Sequence, residues 1–162
     1  MIYQKNILIY LLIILTILSY PLGYYLNENA AGAGFYSGDL GHVWKNLQIY
    51  LNNETIKTIT SSEIYSNRPP LLYLFHKYLN PLTNNIESFR FSIFLVSMIS
   101  PILFYYCLVK KFTKTRKIYL AIIAVTILLS PYYRTSSYWG LEENFGLITS
   151  LISIFFFLDY EK

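Results

Sequence analysis

Residues 91–133 read FSIFLVSMISPILFYYCLVKKFTKTRKIYLAIIAVTILLSPYY. Two apolar blocks, 91–109 and 118–133, flank Lys110, Lys111, Lys114, Arg116 and Lys117, with no acid between them. A bilayer core about 30 Å thick is crossed by a helix of about 20 mostly apolar residues. Each block therefore reads as a transmembrane helix, and the basic cluster as the short loop joining them. Outward from this pair the same reading gives a first span over 7–26, after Lys5 and Asn6, and a fourth over 139–158, whose uninterrupted apolar part is 145–158. The expected fold is an all-α integral membrane protein of about four spans in a single membrane domain.

Composition agrees. Of 162 residues, 54% are hydrophobic and 19% aromatic, and only 14% are charged, against about a quarter charged in soluble domains. The formal charge of +4 sits largely in the 110–117 loop, so it argues for topology and not for a nucleic-acid partner. Cys107 is the one cysteine, so no internal disulfide is possible. No Cys/His cluster has zinc-like spacing. No pattern calls for a cofactor, and nothing in the sequence supports a divalent metal.

Short basic loops stay in the cytoplasm. The 110–117 loop is then inside, both chain ends are inside with it, and residues 27–88 form a long external loop. That loop holds four basic residues, Lys45, Lys57, Arg68 and Lys77, against five acidic ones, Glu28, Asp39, Glu54, Glu63 and Glu87. The expected location is a bacterial inner membrane. Tyr20, Tyr24, Tyr25, Tyr132, Tyr133, Tyr138 and Trp139 fall at span ends on the same side, where an aromatic belt is expected. A rival reading makes the first span a signal peptide cleaved near Ala31-Gly32-Ala33. That site lies well past the dense apolar run ending at Leu18, so a retained span is preferred.

Two helical patterns stand in the external loop. Leu40, Val43, Trp44, Leu47 and Leu51 share one helix face, with Lys45, Asn46 and Gln48 on the other, as in a helix lying in the membrane interface. Pro69-Pro70 opens a second such helix over 71–79, since Pro suits a first helical turn, and Asn80-Pro81 stops it. Between them, 52–67 is polar and expected to be mobile.

Three constellations could carry chemistry. Asp39, between Gly38 and Gly41, reads either as a helix N-cap or as a carboxylate that takes a proton from a hydroxyl acceptor, the glycines allowing a ligand to approach closely. His42, one turn on, could assist it or simply be solvated. Arg68, Arg90 and Arg134 fall at the outer boundary, where arginines either snorkel or hold a phosphate with two hydrogen bonds. Glu142 and Glu143 stand at the mouth of the last span, and adjacent helical positions would let only one of them face a site. Acids beside a span are a functional hint, although at a helix N-terminus they also suit the dipole.

Taken in order, these features resemble the N-terminal part of the GT-C integral membrane glycosyltransferases. That group includes dolichyl-phosphate-mannose protein mannosyltransferases, aminoarabinose transferases acting on lipid A, and lipid-linked-oligosaccharide glucosyltransferases. The residues carrying the resemblance are Gly38-Asp39-Leu40-Gly41-His42, Arg68-Pro69-Pro70-Leu71-Leu72-Tyr73-Leu74, Ser88-Phe89-Arg90-Phe91-Ser92, Ser130-Pro131-Tyr132-Tyr133 and Tyr138-Trp139-Gly140-Leu141-Glu142-Glu143-Asn144. The resemblance implies inverting transfer of a sugar from a polyprenyl-phosphate-linked donor to a hydroxyl of a glycan, lipid or protein acceptor, outside the cytoplasm. It makes Asp39 the general base, gives external arginines the donor phosphate, and has Glu142 or Glu143 orient a substrate. Members have more spans than this chain, which implies further C-terminal spans or a partner chain. The alternative is a non-catalytic membrane accessory protein or a truncated transferase.

Overall fold

The computed structural model describes residues 2–32, 34–61 and 70–160, with side chains from Ile7 onward. Among these residues the chain is all helical: α1 (Ile2–Tyr25), α2 (Asp39–Asn52), α3 (Thr55–Ile59), α4 (Leu71–Tyr78), α5 (Ile86–Ser97), α6 (Ile99–Lys111), α7 (Lys117–Val125), α8 (Pro131–Tyr138) and α9 (Glu143–Tyr160). Three segments are long and apolar enough to cross a membrane: Ile7–Tyr25, Ile86–Lys111 and Glu143–Tyr160. A fourth exists if Lys117–Leu129 and Pro131–Tyr138, bent by 64°, count as one span. Leu8, Leu15, Leu18 and Leu22 of α1 and Phe156 and Phe157 of α9 face outward, each more than half exposed. Water would oppose such surfaces and lipid covers them, as in a membrane protein.

The two ends of the bundle differ. At one, Lys110 closing α6 pairs with Asp159 near the end of α9 at 2.5 Å, so these two helices run parallel. At the other, Tyr24 closing α1 stacks on Phe94 of α5 at 4.5 Å, and α2, α4 and α8 gather there. This second end holds most of the buried core: Tyr20, Leu40, Leu47, Tyr73, Phe89, Ile93 and Tyr138 are each at most 1% exposed. Five of the seven expected belt aromatics, Tyr20, Tyr24, Tyr133, Tyr138 and Trp139, are buried in it, leaving Tyr25 and Tyr132 outside. The α2 face also differs from expectation. Leu40, Val43 and Leu47 pack into the protein core, and Asn46, assigned to the outer face, is buried with its Nδ2 donating to the Tyr73 hydroxyl at 3.3 Å. α2 is wedged between that core and α4, so two of its faces are covered. Within 52–67, Thr55–Ile59 is helical and Thr58 is buried.

The expected boundaries shift for local reasons. The second span starts earlier than 91, at Ile86, because Asn85 caps it, its Oδ1 accepting from the Ser88 N–H at 2.8 Å. The third does not run straight to 133 but bends by 64° at Ser130. After a 3-10 turn at Thr126–Leu129, Ser130 is extended, as a residue before proline prefers, and its side chain caps α8, which starts at Pro131. Leu141 N–H then bonds Ser136 C=O at 2.9 Å and Gly140 takes φ 70°, a glycine helix stop. The last span therefore begins at Glu143 and not at 139.

Pro101 interrupts the α5–α6 segment. It has no N–H for the Ser97 carbonyl four residues back, and the Tyr133 hydroxyl donates to that carbonyl instead. The Tyr20 hydroxyl meets Ser97 Oγ at 2.6 Å. Tyr133→Phe leaves a buried carbonyl unpaired and should cost about 1–3 kcal/mol. Pro101→Ala, which returns the N–H, should recover most of that loss in the double mutant. Thermal unfolding of the parent, both single mutants and the double mutant in detergent measures this, and equal losses from Tyr133→Phe with and without Pro101 would disprove the link.

Candidate functional site

The site is built around α8, an eight-residue helix in which Tyr133, Arg134, Thr135, Ser136, Ser137 and Tyr138 are all buried. A helix this polar on every side is stable inside a protein only when each polar group has a partner. Arg134 meets that requirement in full. Its Nε donates to Glu28 Oε1 at 2.7 Å, and Nη2 to Glu28 Oε2 and to the Ser19 carbonyl at 3.0 Å. Nη1 donates to Ser19 Oγ at 3.2 Å and to the Leu128 carbonyl at 3.1 Å. A guanidinium has five N–H groups, so none is left for a phosphate.

Glu28 reaches Arg134 because of how α1 ends. Asn27 takes φ 55°, Asn27 N–H bonds Tyr24 C=O, and Glu28 N–H bonds Gly23 C=O. This is the paired-bond stop in which a left-handed residue, here Asn, follows the helix. Gly23 is required as well, because a Cβ there would collide with Arg134, Glu28 and the Tyr138 hydroxyl. The following chain is held to α8 by Trp139 Nε1 donating to the Glu28 carbonyl at 2.9 Å and Ala31 N–H to Thr135 Oγ1 at 3.0 Å.

Arg90 is likewise committed inside. It donates to the carbonyls of Tyr138 and Tyr24 and to the Tyr36 hydroxyl. It lies between the rings of Tyr24 and Trp139, at 4.7 and 4.3 Å, and pairs with Glu87 at 3.6 Å. Neither Arg90 nor Arg134 snorkels. Arg68, with Pro69, lies outside the described residues. Burial and the hydrogen bond to Glu87 raise the Tyr36 hydroxyl above its ordinary pKa.

Asp39 is the first residue of α2 and not its cap. Gly38 holds the cap position, and no side chain there bonds the helix N–H groups. Gly41 makes room for the Tyr36 carbonyl, which a Cβ would strike, so its missing side chain serves the loop and not a ligand. The Asp39 carboxylate has no hydrogen bond or ion pair among the described residues and lines a cavity of about 420 Å³. Glu143, Ser130, Thr135, Ser136, Tyr132 and Asn144 share that wall. His42 is exposed and does not line it.

Glu143 also lines a second cavity, of about 470 Å³, with Leu71, Leu72, Glu142, Phe145, Gly146 and Thr149. Its Oε2 accepts from Ser136 Oγ at 3.1 Å, while Glu142 Oε1 accepts from the Tyr73 hydroxyl at 3.0 Å. Both glutamates reach one cavity because Glu142 precedes the helix, its carbonyl accepting the first α9 bonds from Phe145 and Gly146. The expectation that only one could do so assumed both to be helical.

The sequence reading passed over Glu28, Ser136 and Asn144. It also passed over His76, which is wholly buried with Nδ1 against Asn80 Nδ2 at 2.7 Å, and which burial holds down at a pKa of about 4. Among the described residues no group of His, Cys, Asp and Glu side chains is arranged to hold a metal ion. No family model, curated protein or solved structure matches the chain.

An arginine saturated this way should not tolerate lysine, whose ammonium lacks the planar fork. Arg134→Lys should lower stability by about 1.5–3 kcal/mol, the scale of hydrogen bonds to a charged group. Glu28→Gln should add little further loss on top of it. Unfolding midpoints in detergent test this, and an Arg134→Lys chain as stable as the parent would show that the pair contributes nothing.

Proposed function

We propose that the chain is a glycosyltransferase of the GT-C kind, or its N-terminal part, moving a sugar from a polyprenyl-phosphate-linked donor to a hydroxyl acceptor at the non-cytoplasmic face. One observation supports this reading: Asp39, a carboxylate without a partner among the described residues, lines a cavity in which Glu143, Asn144 and the hydroxyls of Ser130, Thr135 and Ser136 stand beside apolar Ile127, Leu141 and Leu147. Hydroxyls, amides and carboxylates are the partners that bind a polyhydroxylated ligand, and a cavity of this size falls in the range of small-molecule sites. In the proposed step Asp39 accepts the proton of the acceptor hydroxyl. The acceptor oxygen bonds the anomeric carbon as the bond from that carbon to the phosphate oxygen breaks. Polyprenyl phosphate leaves with the electron pair, and the anomeric configuration inverts.

Glu143, held by Ser136, orients substrate hydroxyls, with Glu142 at its side. The commitment of Arg90 and Arg134 to internal partners leaves the donor phosphate to Arg68 or to another segment or chain. That same commitment favours a second reading, a non-catalytic membrane accessory protein.

Asp39→Asn separates the two. It should reduce transfer by the whole assembly by about 10²-fold or more, the scale of a lost general base. Stability should change by no more than about 1 kcal/mol, the value of an acid in the first helical turn. Undiminished transfer by Asp39→Asn would remove Asp39 from the chemistry and leave the accessory reading.

The proposed sidedness puts α2–α4 outside and the 112–116 loop in the cytoplasm. In a Cys107→Ser background, Lys57→Cys should react with an impermeant thiol reagent added to intact cells, and Lys114→Cys should not. Labelling of Lys114→Cys under those conditions would invert the protein and place the Asp39 cavity on the wrong side.

A further inference from the structure

A groove of about 340 Å³ runs between α1, α6 and α7 and shares no lining residue with the Asp39 cavity. Ile17, Ile102 and Val125 line it beside Ala121 and Ala124, whose small side chains leave the α7 wall recessed. On α6 it extends from Met98 to Tyr106, about 12 Å at 1.5 Å per residue, a length along which an acyl chain can lie. Of its lining side chains only Tyr105 and Tyr106 carry a hydrogen-bond donor, and neither hydroxyl makes a hydrogen bond among the described residues. Tyr106 is 52% exposed. These two phenols stand about 8 Å along the helix before α6 ends at Lys111. Beyond them come Lys114, Arg116 and Lys117, all exposed and without a hydrogen bond or ion pair among the described residues. No acid lies between 110 and 117, and Asp159 at the same end is already paired with Lys110. Three chemistries therefore follow one another along the membrane axis: cations, phenol donors, and an apolar groove.

We propose that this groove and the loop beyond it hold one anionic phospholipid of the adjoining leaflet. A phospholipid presents the matching groups in the same order: a charged phosphate, two ester carbonyls, and acyl chains. One chain lies in the groove, the Tyr105 and Tyr106 hydroxyls donate to the ester carbonyls, and Lys114, Arg116 and Lys117 hold the phosphate. Each basic residue near an anionic membrane surface strengthens attachment about fivefold. A zwitterionic head brings an ammonium that meets three cations, while Asp159 is already taken. A neighbouring transmembrane helix fits the apolar wall alone; a phospholipid accounts for the wall, the phenols and the cations together. The site lies at the end of the bundle away from Asp39 and is independent of the transferase reading.

The test is titration of the full chain in detergent with dioleoyl phosphatidylglycerol or dioleoyl phosphatidylethanolamine, read by native mass spectrometry beside the thermal midpoint. Phosphatidylglycerol should bind about tenfold or more tightly than phosphatidylethanolamine and raise the midpoint. The triple variant Lys114→Gln, Arg116→Gln, Lys117→Gln should lose that preference, and its exposed positions leave the fold in place. Ala121→Leu fills the groove and should weaken both lipids about tenfold. Ile102→Trp, from the exposed α6 wall, should act the same way and guards against a packing defect at α7. Tyr105→Phe with Tyr106→Phe should weaken both lipids about fivefold, the scale of a lost neutral hydrogen bond, and keep the preference. Equal binding of the two lipids by the parent overturns the anionic phospholipid. A triple variant that still prefers phosphatidylglycerol removes the loop from the site. Groove variants that both bind like the parent overturn the acyl position. A parent dimer that Ala121→Leu and Ile102→Trp dissociate makes the groove an interface between copies and overturns the lipid.

Discussion

Two guanidinium groups buried at one end of a bundle of apolar helices set the terms for the rest of the structure. An unpaired buried charge is costly enough that removing a partner typically costs about 3–5 kcal/mol. Arg134 and Arg90 therefore force their surroundings to supply acceptors. Arg134 collects a carboxylate, a hydroxyl and two main-chain carbonyls from α1, the loop after it and the 3-10 turn before α8. Arg90 collects two carbonyls and a hydroxyl, with aromatic rings on both sides. The end of α1, the missing side chain at Gly23 and the course of residues 27–32 all follow from the need to bring Glu28 and Ser19 to one guanidinium. At the opposite end of the bundle the Lys110–Asp159 pair keeps the acid half-exposed.

The candidate site uses the other faces of the same helix. Arg134 points toward α1, while Thr135 and Ser136 turn to the cavity that Asp39 and Glu143 share. Ser137 donates to the Tyr133 carbonyl and accepts from Asn144, tying α8 to the first turn of α9. The hydroxyls facing the cavity are thus fixed by a helix whose own charges are already satisfied. Preorganised polar groups of this kind bind a ligand without having to reorganise around it. The phosphate-binding role expected for Arg90 and Arg134 and the structural role they play draw on the same chemistry, a planar fork seeking several acceptors. Sequence alone offers no means of separating them, because the acceptors come from residues up to 115 positions away.

What the sequence does make legible follows the same logic. Apolar runs of bilayer length are a local property, and the segments they mark are helical. The boundary at Asn85 was displaced because the cap lies upstream of the apolar run, and those at Ser130-Pro131 and Gly140 because the apolar run continues past the residue that stops the helix. The aromatic cluster was misread because a tyrosine at the end of a span fits a belt and a buried core equally well, and only the neighbours of Tyr20 and Tyr138 decide. The apolar face of α2 was visible as a period, but that period cannot say whether lipid or protein covers it. Asp39 stood out through its position, whereas its pairing with Glu143 across one cavity depends on the turn at Gly140. Glu28 gave no local signal at all, being one acid among several in a polar loop.

The turn at Ser130-Pro131 links these levels. Had the third apolar run continued straight, Arg134 would have been carried along the membrane axis, away from Glu28. The bonds of Ser136 to Glu143 and of Asn144 to Ser137 would then lie far from Asp39. The 64° bend turns α8 away from the axis of the helix before it, and the Tyr133 hydroxyl fastens it to the carbonyl that Pro101 leaves free. Two prolines in different spans therefore act on one joint. One breaks the helix that becomes α8, and the other exposes the acceptor that holds it down. Each would weaken an isolated helix. Together they turn the end of a span into a buried polar shelf, and both acid-bearing helices, α2 at Asp39 and α9 at Glu143, begin at the cavity beside it.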